Sequence, residues 1–359
     1  MEGLEEKLKG LSIARRSRPE EPTYLLDVAL QSAGLLAVSC SNFTIHLHNK
    51  DSLNLVGEYR GHSRPLCGVV FSHTSPDFLY SGSADGTVRG WDVRRPGTEA
   101  AQVFKSDSSH SYCSFDLSCS DTLLCAGTEQ VNDEDSFLVF WDVRKPGSGL
   151  LGVYSESHSD DITQVCFHPR EKDRLASSST DGLVNVFDLS RGAEEEALLA
   201  TCNSDSSAAS VCWSGAEYTQ LLCLSYDEGA APVGSGAAGH GQAPHRFHRG
   251  LPGGGQVAAM RTQKLLVVGG KNNGDLHLME CDEGGLRLLR TLEGGHASTV
   301  RCFLWDAAGE ALVTGGEDAQ LLLWKPGGEE LTMGKRESKK SQSALRLKSR
   351  PHKKHVTKG

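Results

Sequence analysis

A strand-turn-strand unit returns about every 45 residues along this 359-residue chain, and such a repeat limits the folds that the chain can adopt. In its clearest copy, residues 79–94, an apolar strand leads through Asp85-Gly86 into an alternating strand that ends at Trp91-Asp92. An Asp-Gly pair between two such strands is typical of a two-residue hairpin turn. Six other copies, some of them degraded, lie at 35–49, 137–144, 175–188, 211–229, 264–281 and 312–324.

Seven all-β units of this length predict a β-propeller with seven blades of four strands each. The fold class is therefore all-β, and blades five and six are irregular because their copies are the most degraded. The sequence predicts an N-terminal segment at 1–10, the propeller at 11–334 and a tail at 335–359. Residues 11–14 are expected to supply the outer strand of the last blade and so remove an open edge, with 330–333 as the alternative.

Four residue types recur at fixed spacing around the hairpin turn. A hydroxyl residue lies four positions before the turn Asp, an aromatic residue lies six positions after it, and a His precedes each set. An indole only donates, a hydroxyl donates and accepts, and a carboxylate accepts. These types predict a buried hydrogen-bond network in each blade, which is favourable when every member is satisfied. The three sets are His62, Ser81, Asp85 and Trp91; His158, Ser177, Asp181 and Phe187; and His296, Thr314, Asp318 and Trp324.

At these positions the chain resembles the WD-repeat family, whose blades lock their strands together with a buried Trp, Ser/Thr, His and Asp network. The resemblance extends over most of the chain outside roughly 229–258 and is carried further by the stretches at 21–26, 126–142, 157–169, 179–188 and 315–327. It implies a non-enzymatic protein-interaction scaffold, but it specifies no pathway, because a fold does not determine a function.

A catalytic interpretation competes for one of these sets. His158, Ser177 and Asp181 are the residue types of an acyl-transfer triad. However, the same trio recurs in three blades, and the chain has no Gly-x-Ser-x-Gly elbow. We therefore predict a structural role for the trio, and we expect no enzyme activity, no catalytic residues, no cofactor and no small-molecule substrate.

Two neighbouring blades end in the same tetrapeptide, Trp-Asp-Val-Arg, at 91–94 and 141–144. In the WD-repeat family such a pair resembles the motif with which substrate receptors dock on the DDB-type adaptor of cullin-4 ubiquitin ligases. Arg94 and Arg144 would then offer their planar guanidinium groups to carboxylates or carbonyls of the partner. The alternative is local, with each Arg paired to its own neighbour, Asp92 or Asp142.

The formal net charge of −9 is divided unevenly along the chain. Residues 335–359 carry +9, and the remainder carries −18. The tail has no aromatic residues, so it offers attraction to phosphates without base stacking. Its basic clusters are similar to nuclear or nucleolar address signals, and direct contact with RNA and a merely solvated tail are the alternatives. The clustered residues include Lys335, Arg336, Lys339, Lys340, Lys353 and Lys354.

The cysteines and the N-terminus bear on the compartment. The eleven cysteines are dispersed and never spaced Cys-x-x-Cys, which indicates reduced thiols. No apolar run reaches the length of a membrane span, and the N-terminus lacks the apolar core of a signal peptide. We therefore expect an intracellular protein, nuclear or cytoplasmic and possible in the nucleolus, without membrane contact.

Residues 229–255 interrupt the repeat with nine Gly, five Ala, three Pro and no acidic residue. A segment of this composition cannot bury enough apolar surface to order itself. It is interpreted as a disordered insertion with compensating pairing, a damaged or six-bladed ring, or a sequence error such as a shifted reading frame. Its His240, His245 and His248 match no compact zinc spacing, so no metal is expected.

Two classes of function follow from the sequence. The first is a scaffold or adaptor that binds proteins, with a cullin-4 substrate receptor as its specific form. The alternative is a nuclear or nucleolar ribonucleoprotein or ribosome-assembly factor that uses the basic tail.

Overall fold

The computed structural model describes residues 2–106, 110–132, 135–226, 230–233, 258–260, 265–282 and 285–328. Over these residues the chain forms seven antiparallel sheets, six with four strands and one with three. The predicted all-β, seven-bladed propeller is confirmed. The chain begins with helix α1 (Glu2–Lys9) and strand β1 (Leu11–Ser17).

Each sheet is one blade of the propeller. In blades 1 to 6 the strands run from the centre of the ring outward in chain order. Blade 1 contains β2 (Leu25–Leu30), β3 (Leu35–Cys40), β4 (Ile45–Asn49) and β5 (Leu55–Tyr59), and blade 2 contains β6 (Leu66–Phe71), β7 (Phe78–Ser83), β8 (Thr87–Asp92) and β9 (Gln102–Lys105). Blade 3 contains β10 (Tyr112–Leu117), β11 (Leu123–Thr128), β12 (Ser136–Asp142) and β13 (Gly152–His158). Blade 4 contains β14 (Ile162–Phe167), β15 (Arg174–Ser179), β16 (Leu183–Asp188) and β17 (Leu198–Asn203). A short helix, α2 (Glu194–Ala197), immediately precedes β17.

Blades 5 to 7 complete the ring. Blade 5 contains β18 (Ala208–Ser214), β19 (Gln220–Ser225) and β20 (Ala230–Val233). Blade 6 contains β21 (Ala258–Met260), β22 (Leu265–Gly270), β23 (Leu276–Asp282) and β24 (Gly285–Leu292). Blade 7 contains β25 (Val300–Asp306), β26 (Ala311–Gly316) and β27 (Leu321–Pro326), with β1 as its outer strand. Short 3₁₀ turns occupy Leu189–Arg191 and Ala216–Tyr218.

The ring is closed by the N-terminal strand. β1 pairs antiparallel with β27, from Leu11 opposite Pro326 to Ser17 opposite Leu321. This is the first of the two closures that the sequence predicts, and the alternative strand at 330–333 lies outside the described residues. The closing strand gives β27 a partner, so the outer edge of blade 7 is covered in the same way as in a continuous repeat.

Helix α1 packs on the ring through Leu8. Leu8 of α1 is buried in one cluster with Leu278 and Leu292 of blade 6 and with Leu312 and Trp324 of blade 7. The sequence predicts an N-terminal segment at 1–10 but gives no sign of this packing. Helix α1 therefore bridges the last two blades.

Neighbouring blades pack through two recurring contacts. In three seams an aromatic ring on the outer strand of one blade contacts the aromatic ring that ends the third strand of the next. The ring centroids are 5.4 Å apart for Tyr59 and Trp91, 6.5 Å for Phe104 and Trp141, and 5.5 Å for Tyr154 and Phe187. Deeper in the ring, second-strand glycines allow close approach, since a Cβ at Gly82 would lie 2.5 Å from the Phe115 ring.

The innermost strands are linked from blade to blade by side chains. A side-chain oxygen of one strand accepts a hydrogen bond from a backbone N–H of the next, as from Val69 N to Asp27 (2.9 Å) and from Val165 N to Ser114 (2.9 Å). Burial raises the pKa of Asp27. These strands line a central cavity of about 740 Å³.

The interrupted region differs in part from the sequence prediction. Ala230–Val233 lies within the segment expected to be unstructured, yet it pairs with β19 as the third strand of blade 5. Backbone hydrogen bonds in an antiparallel ladder do not depend on a side-chain pattern, so composition alone does not reveal such a strand. Residues 234–257, including His240, His245 and His248, lie outside the described residues.

In the described part of the chain, no helix has the length and apolar character needed to span a membrane.

Candidate functional site: buried networks and a paired-arginine corner

The predicted network of blade 2 is a continuous chain of hydrogen bonds. Trp91 Nε1 donates to Ser81 Oγ (2.8 Å), the Ser81 hydroxyl lies 2.8 Å from His62 Nε2, and His62 Nδ1 lies 2.9 Å from Asp85 Oδ2. Because the carboxylate only accepts, His62 Nδ1 carries the proton, and Nε2 accepts from the serine. Every polar hydrogen along this path therefore has an acceptor.

Blade 7 repeats the arrangement with Thr in place of Ser. Trp324 Nε1 donates to Thr314 Oγ1 (2.9 Å), whose hydroxyl lies 2.8 Å from His296 Nε2, and His296 Nδ1 lies 3.0 Å from Asp318. In blade 4 the path is one member shorter. Ser177 bonds to His158 (2.7 Å) and His158 to Asp181 (3.0 Å), but Phe187 has no N–H to donate.

The network carboxylates also join two separate pieces of backbone. Asp85 accepts from the N–H of Ser63, beside the histidine, and from the N–H of Thr87, across the hairpin turn. Burial by itself raises the pKa of Asp85, but the hydrogen bonds from His62 and Thr87 outweigh it and hold the pKa below its usual range. Each Asp thus remains an ionised acceptor that fixes its turn to the preceding connection.

The geometry of Ser177, His158 and Asp181 matches that of an acyl-transfer triad in distance but not in access. Ser177 has no exposed surface, and the His158 side chain is also fully buried. A nucleophile must reach a substrate carbonyl. The burial therefore supports the structural role that the sequence predicts for this trio.

Two further Trp side chains, those of Trp141 and Trp213, bond to backbone carbonyls of a neighbouring blade. Trp141 Nε1 donates to the carbonyl of Lys105 (3.3 Å), and Trp213 Nε1 donates to that of Cys166 (3.0 Å). In blade 1, His48 stands at the Trp position and bonds through Nδ1 to the carbonyl of Leu53 (2.9 Å). The sequence does not predict these contacts, because every residue has a backbone carbonyl and no residue type marks the one that accepts.

The two Trp-Asp-Val-Arg turns have the same local geometry. Arg94 donates to its neighbour Asp92 through Nε (2.9 Å) and Nη2 (2.8 Å), and Arg144 donates to Asp142 through the same two atoms (2.8 Å each). These contacts are the local pairing that the sequence left as an alternative. The side chains are nevertheless 64% and 68% exposed.

We call the side of the ring that carries these turns the paired-arginine face. Arg94 also contacts Asp77 (3.0 Å), which lies in the loop between the first two strands of blade 2. The loops after the first and third strands therefore share this face, while the network turns at Asp85 and Asp181 lie on the opposite one. The hydrogen bond from Arg94 lowers the pKa of Asp92 to about 2, so the pair stays ionised at neutral pH.

The predictions on metal ligands, cysteines and the basic tail concern residues outside the networks and the paired arginines. No group of three or more His, Cys, Asp or Glu suited to a metal ion occurs among the described residues. The ten cysteines whose side chains the structure describes are free thiols, and burial raises the pKa of Cys113 to about 12. The tail residues Lys335, Arg336, Lys339, Lys340, Lys353 and Lys354 lie outside the described part of the chain.

The repeats match a known family. The profile of the WD domain, G-beta repeat family (WD40), matches residues 53–92, 150–188 and 286–325. The chain carries WD40 repeats. Each match covers the outer strand of one blade and the first three strands of the next, and each contains one complete His, Ser/Thr and Asp set. WD40 domains generally mediate protein interactions and are typically non-enzymatic scaffolds.

Three relatives illustrate how far the similarity extends. The WD repeat-containing protein GTS1 of Arabidopsis thaliana is 29% identical over 81% of this chain and 78% of its own length. The WD repeat-containing protein 89 homolog of Dictyostelium discoideum is 24% identical over 85% of this chain and 83% of its own length. An uncharacterised WD repeat-containing protein of Saccharomyces cerevisiae is 33% identical over 38% of this chain and 33% of its own length.

Proposed function

We propose that this protein is an interaction scaffold that docks a partner on the paired-arginine face of blades 2 and 3. The observation that carries the proposal is the matched pair Arg94 and Arg144, which project from successive blades in one conformation. Since each guanidinium is already oriented by its own Asp, little side-chain entropy is lost when a partner binds. The Nη1 edge of Arg144, and the N–H groups of Arg94 beyond those that contact Asp92 and Asp77, can contact a carboxylate or carbonyl of that partner.

The partner that the family resemblance implies is the DDB-type adaptor of cullin-4 ubiquitin ligases, which would make this chain a substrate receptor. The adaptor should co-precipitate with the intact protein, and the double variant Arg94→Ala/Arg144→Ala should lower its recovery at least tenfold. Arg191→Ala is the matched control, because Arg191 pairs with Asp188 at the corresponding corner of blade 4. Absent binding, or recovery that the double variant leaves unchanged, refutes the adaptor role.

The charge division supports a second candidate. We propose that residues 335–359, with their charge of +9, direct the protein to the nucleus or nucleolus and contact RNA there. A fluorescent fusion that ends at residue 334 should then leave the nucleus. Binding of the intact chain to an RNA oligonucleotide should weaken steeply with salt, as expected for contacts with phosphates. A truncated fusion that still accumulates in the nucleus contradicts the targeting role.

A further inference from the structure

We propose that Asp121 is a positioning residue that holds the arginine turns of blades 2 and 3 at one fixed separation on the paired-arginine face. Asp121 lies in the loop between the first two strands of blade 3, residues 118–122. This inference deepens the proposed scaffold function and rests on it, because it specifies how the two arginines act together on one partner.

The carboxylate of Asp121 connects blade 3 to the corresponding loop of blade 2, residues 72–77. It accepts hydrogen bonds from the hydroxyls of Ser72 (2.6 Å) and Thr74 (2.6 Å). It also accepts from the backbone N–H groups of His73 (3.1 Å) and Thr74 (2.8 Å) and from Nδ1 of His73 (3.1 Å). Because an ionised carboxylate only accepts, His73 Nδ1 is the donor. One side chain, only 9% exposed, thus joins the two blades.

These hydrogen bonds keep Asp121 ionised. Burial by itself raises the pKa of Asp121, but the hydrogen bonds from His73, Ser72 and Thr74 outweigh it and hold the pKa below its usual range. A hydrogen bond to a charged acceptor is roughly twice as strong as one between neutral groups. The link between the two loops therefore persists at neutral pH.

The loop of blade 2 holds the turn that carries Arg94. The N–H of Val93 donates to the carbonyl of Asp77 (2.8 Å), and the Arg94 guanidinium contacts the Asp77 carboxylate (3.0 Å). The loop is stiffened internally, because the N–H of Ser75 donates to the Ser72 hydroxyl (2.9 Å). The Arg94 turn therefore follows any movement of this loop.

The loop of blade 3 holds the turn that carries Arg144 in the corresponding way. The N–H of Val143 donates to the carbonyl of Thr122 (3.1 Å), the residue directly after Asp121. The Ser118 hydroxyl accepts from the N–H of Thr122 (3.2 Å) and so fixes this loop internally. A path of hydrogen bonds thus leads from one arginine turn to the other, and Asp121 is its link between the blades.

A fixed separation of the two turns restricts which partners bind. A rigid partner surface with two carboxylate or carbonyl groups at the matching separation engages both arginines, and the second contact then costs little further entropy. A partner whose groups do not match gains only one of the two contacts. Loss of the link should therefore weaken binding although both arginines remain in place.

The test replaces Asp121 by Gly in the full-length protein. Asp121 has a φ of 51°, in the left-handed region that favours glycine, so Asp121→Gly removes the carboxylate without straining the loop. The matched control is Glu310→Gly, because Glu310 also has a left-handed φ (49°) and lies in the loop after the first strand of blade 7. Thr74→Val, which removes one of the donors to Asp121, is a milder second variant.

Nitroxide amino acids at the exposed positions 95 and 145 report the separation of the two turns by double electron–electron resonance. Relative to the unsubstituted loop, the distance distribution should become about twofold wider with Asp121→Gly, less wide with Thr74→Val, and unchanged with Glu310→Gly. Recovery of the adaptor with unlabelled protein should fall about tenfold for Asp121→Gly. A role in stability alone would lower the free energy of urea unfolding without widening the distribution.

Three outcomes would overturn the inference. They are a distribution of unchanged width with Asp121→Gly, or with Thr74→Val if the glycine variant does not fold; equal widening with Glu310→Gly; and unchanged adaptor recovery with Asp121→Gly when the intact protein binds the adaptor. An adaptor that does not bind the intact protein refutes the proposed receptor role, and the distance measurement then still decides whether Asp121 positions the two turns.

Discussion

At the level of single residues, the His, Ser/Thr and Asp sets join segments that are distant in sequence by hydrogen bonds. His62 comes from the connection before a blade, Ser81 from its second strand and Asp85 from the hairpin turn. Each hydrogen bond alone contributes only about 1 kcal/mol net, but an orphaned buried partner costs more. Truncation of one member should therefore lower the free energy of unfolding mainly because its former partners stay buried without that hydrogen bond.

We expect His62→Ala to lower the free energy of unfolding by about 1–3 kcal/mol, since it leaves Ser81 and Asp85 buried without their shared partner. Urea unfolding followed by tryptophan fluorescence measures this change. Arg64→Ala is the matched control, because Arg64 is an exposed neighbour whose loss should change the stability by less than about 0.5 kcal/mol. Equal stability of His62→Ala and the unsubstituted protein would contradict the prediction.

The networks could be predicted from sequence because their residue types recur at the same spacing in three blades. One such set would have been ambiguous, as His158, Ser177 and Asp181 illustrate, and repetition favours structure over catalysis. The contacts of Trp141 and Trp213 could not be predicted in the same way. Their acceptors are backbone carbonyls of neighbouring blades, whose position depends on the assembled ring.

At the element scale, α1 and α2 perform the same task at two seams although they are unrelated in sequence position. Glu5 of α1 forms an ion pair with Arg287 of β24, and the Glu194 carboxylate of α2 accepts hydrogen bonds from the N–H groups of Ser155 and Glu156 on β13. Each helix leads directly into the outer strand of its own blade. An exposed outer strand offers unpaired backbone groups to other chains, so covering it limits unwanted pairing. Helix α1 is therefore a structural part of the ring, which it contacts at blades 6 and 7.

We expect Leu8→Ala to lower the free energy of unfolding by about 2 kcal/mol or more, as is usual when a buried leucine is truncated. The control is Glu6→Ala on the exposed side of the same helix, which should have little effect. Thermal and urea unfolding of the two variants provide the comparison. A loss no larger for Leu8→Ala than for Glu6→Ala would mean that α1 does not stabilise the ring.

The elements differ in how far the sequence predicts them. The closing strand β1 is foreseeable, because the last repeat ends without an outer strand and 11–14 can supply one. Helix α1 is not foreseeable from its eight residues, since isolated helices of that length are marginal and this one depends on packing against blades 6 and 7. Strand β20 is hidden for a different reason, because its Ala-Ala-Pro-Val sequence resembles the glycine-rich segment around it.

At the scale of the whole molecule, the propeller separates two surfaces. The buried networks join loops on one face, and the paired arginines project from the other. The basic tail is a third feature, opposite in charge to the rest of the chain. The two proposed contacts use different residues, Arg94 and Arg144 in the ring and 335–359 in the tail, so the substitutions that test one proposal leave the residues of the other unchanged.

The closure by β1 also affects how the chain is made. Ser12 and Lys325, which meet in the closing pair of strands, are 313 positions apart in sequence. At a synthesis rate of 5–20 residues per second, β1 leaves the ribosome about 15 to 60 seconds before its partner exists. Blades 1 to 6 can assemble in order during this interval, but blade 7 and the full packing of α1 must wait until β27 has emerged. The first strand is thus the last of the ring to be paired, and the nascent chain carries its unpaired edge until then.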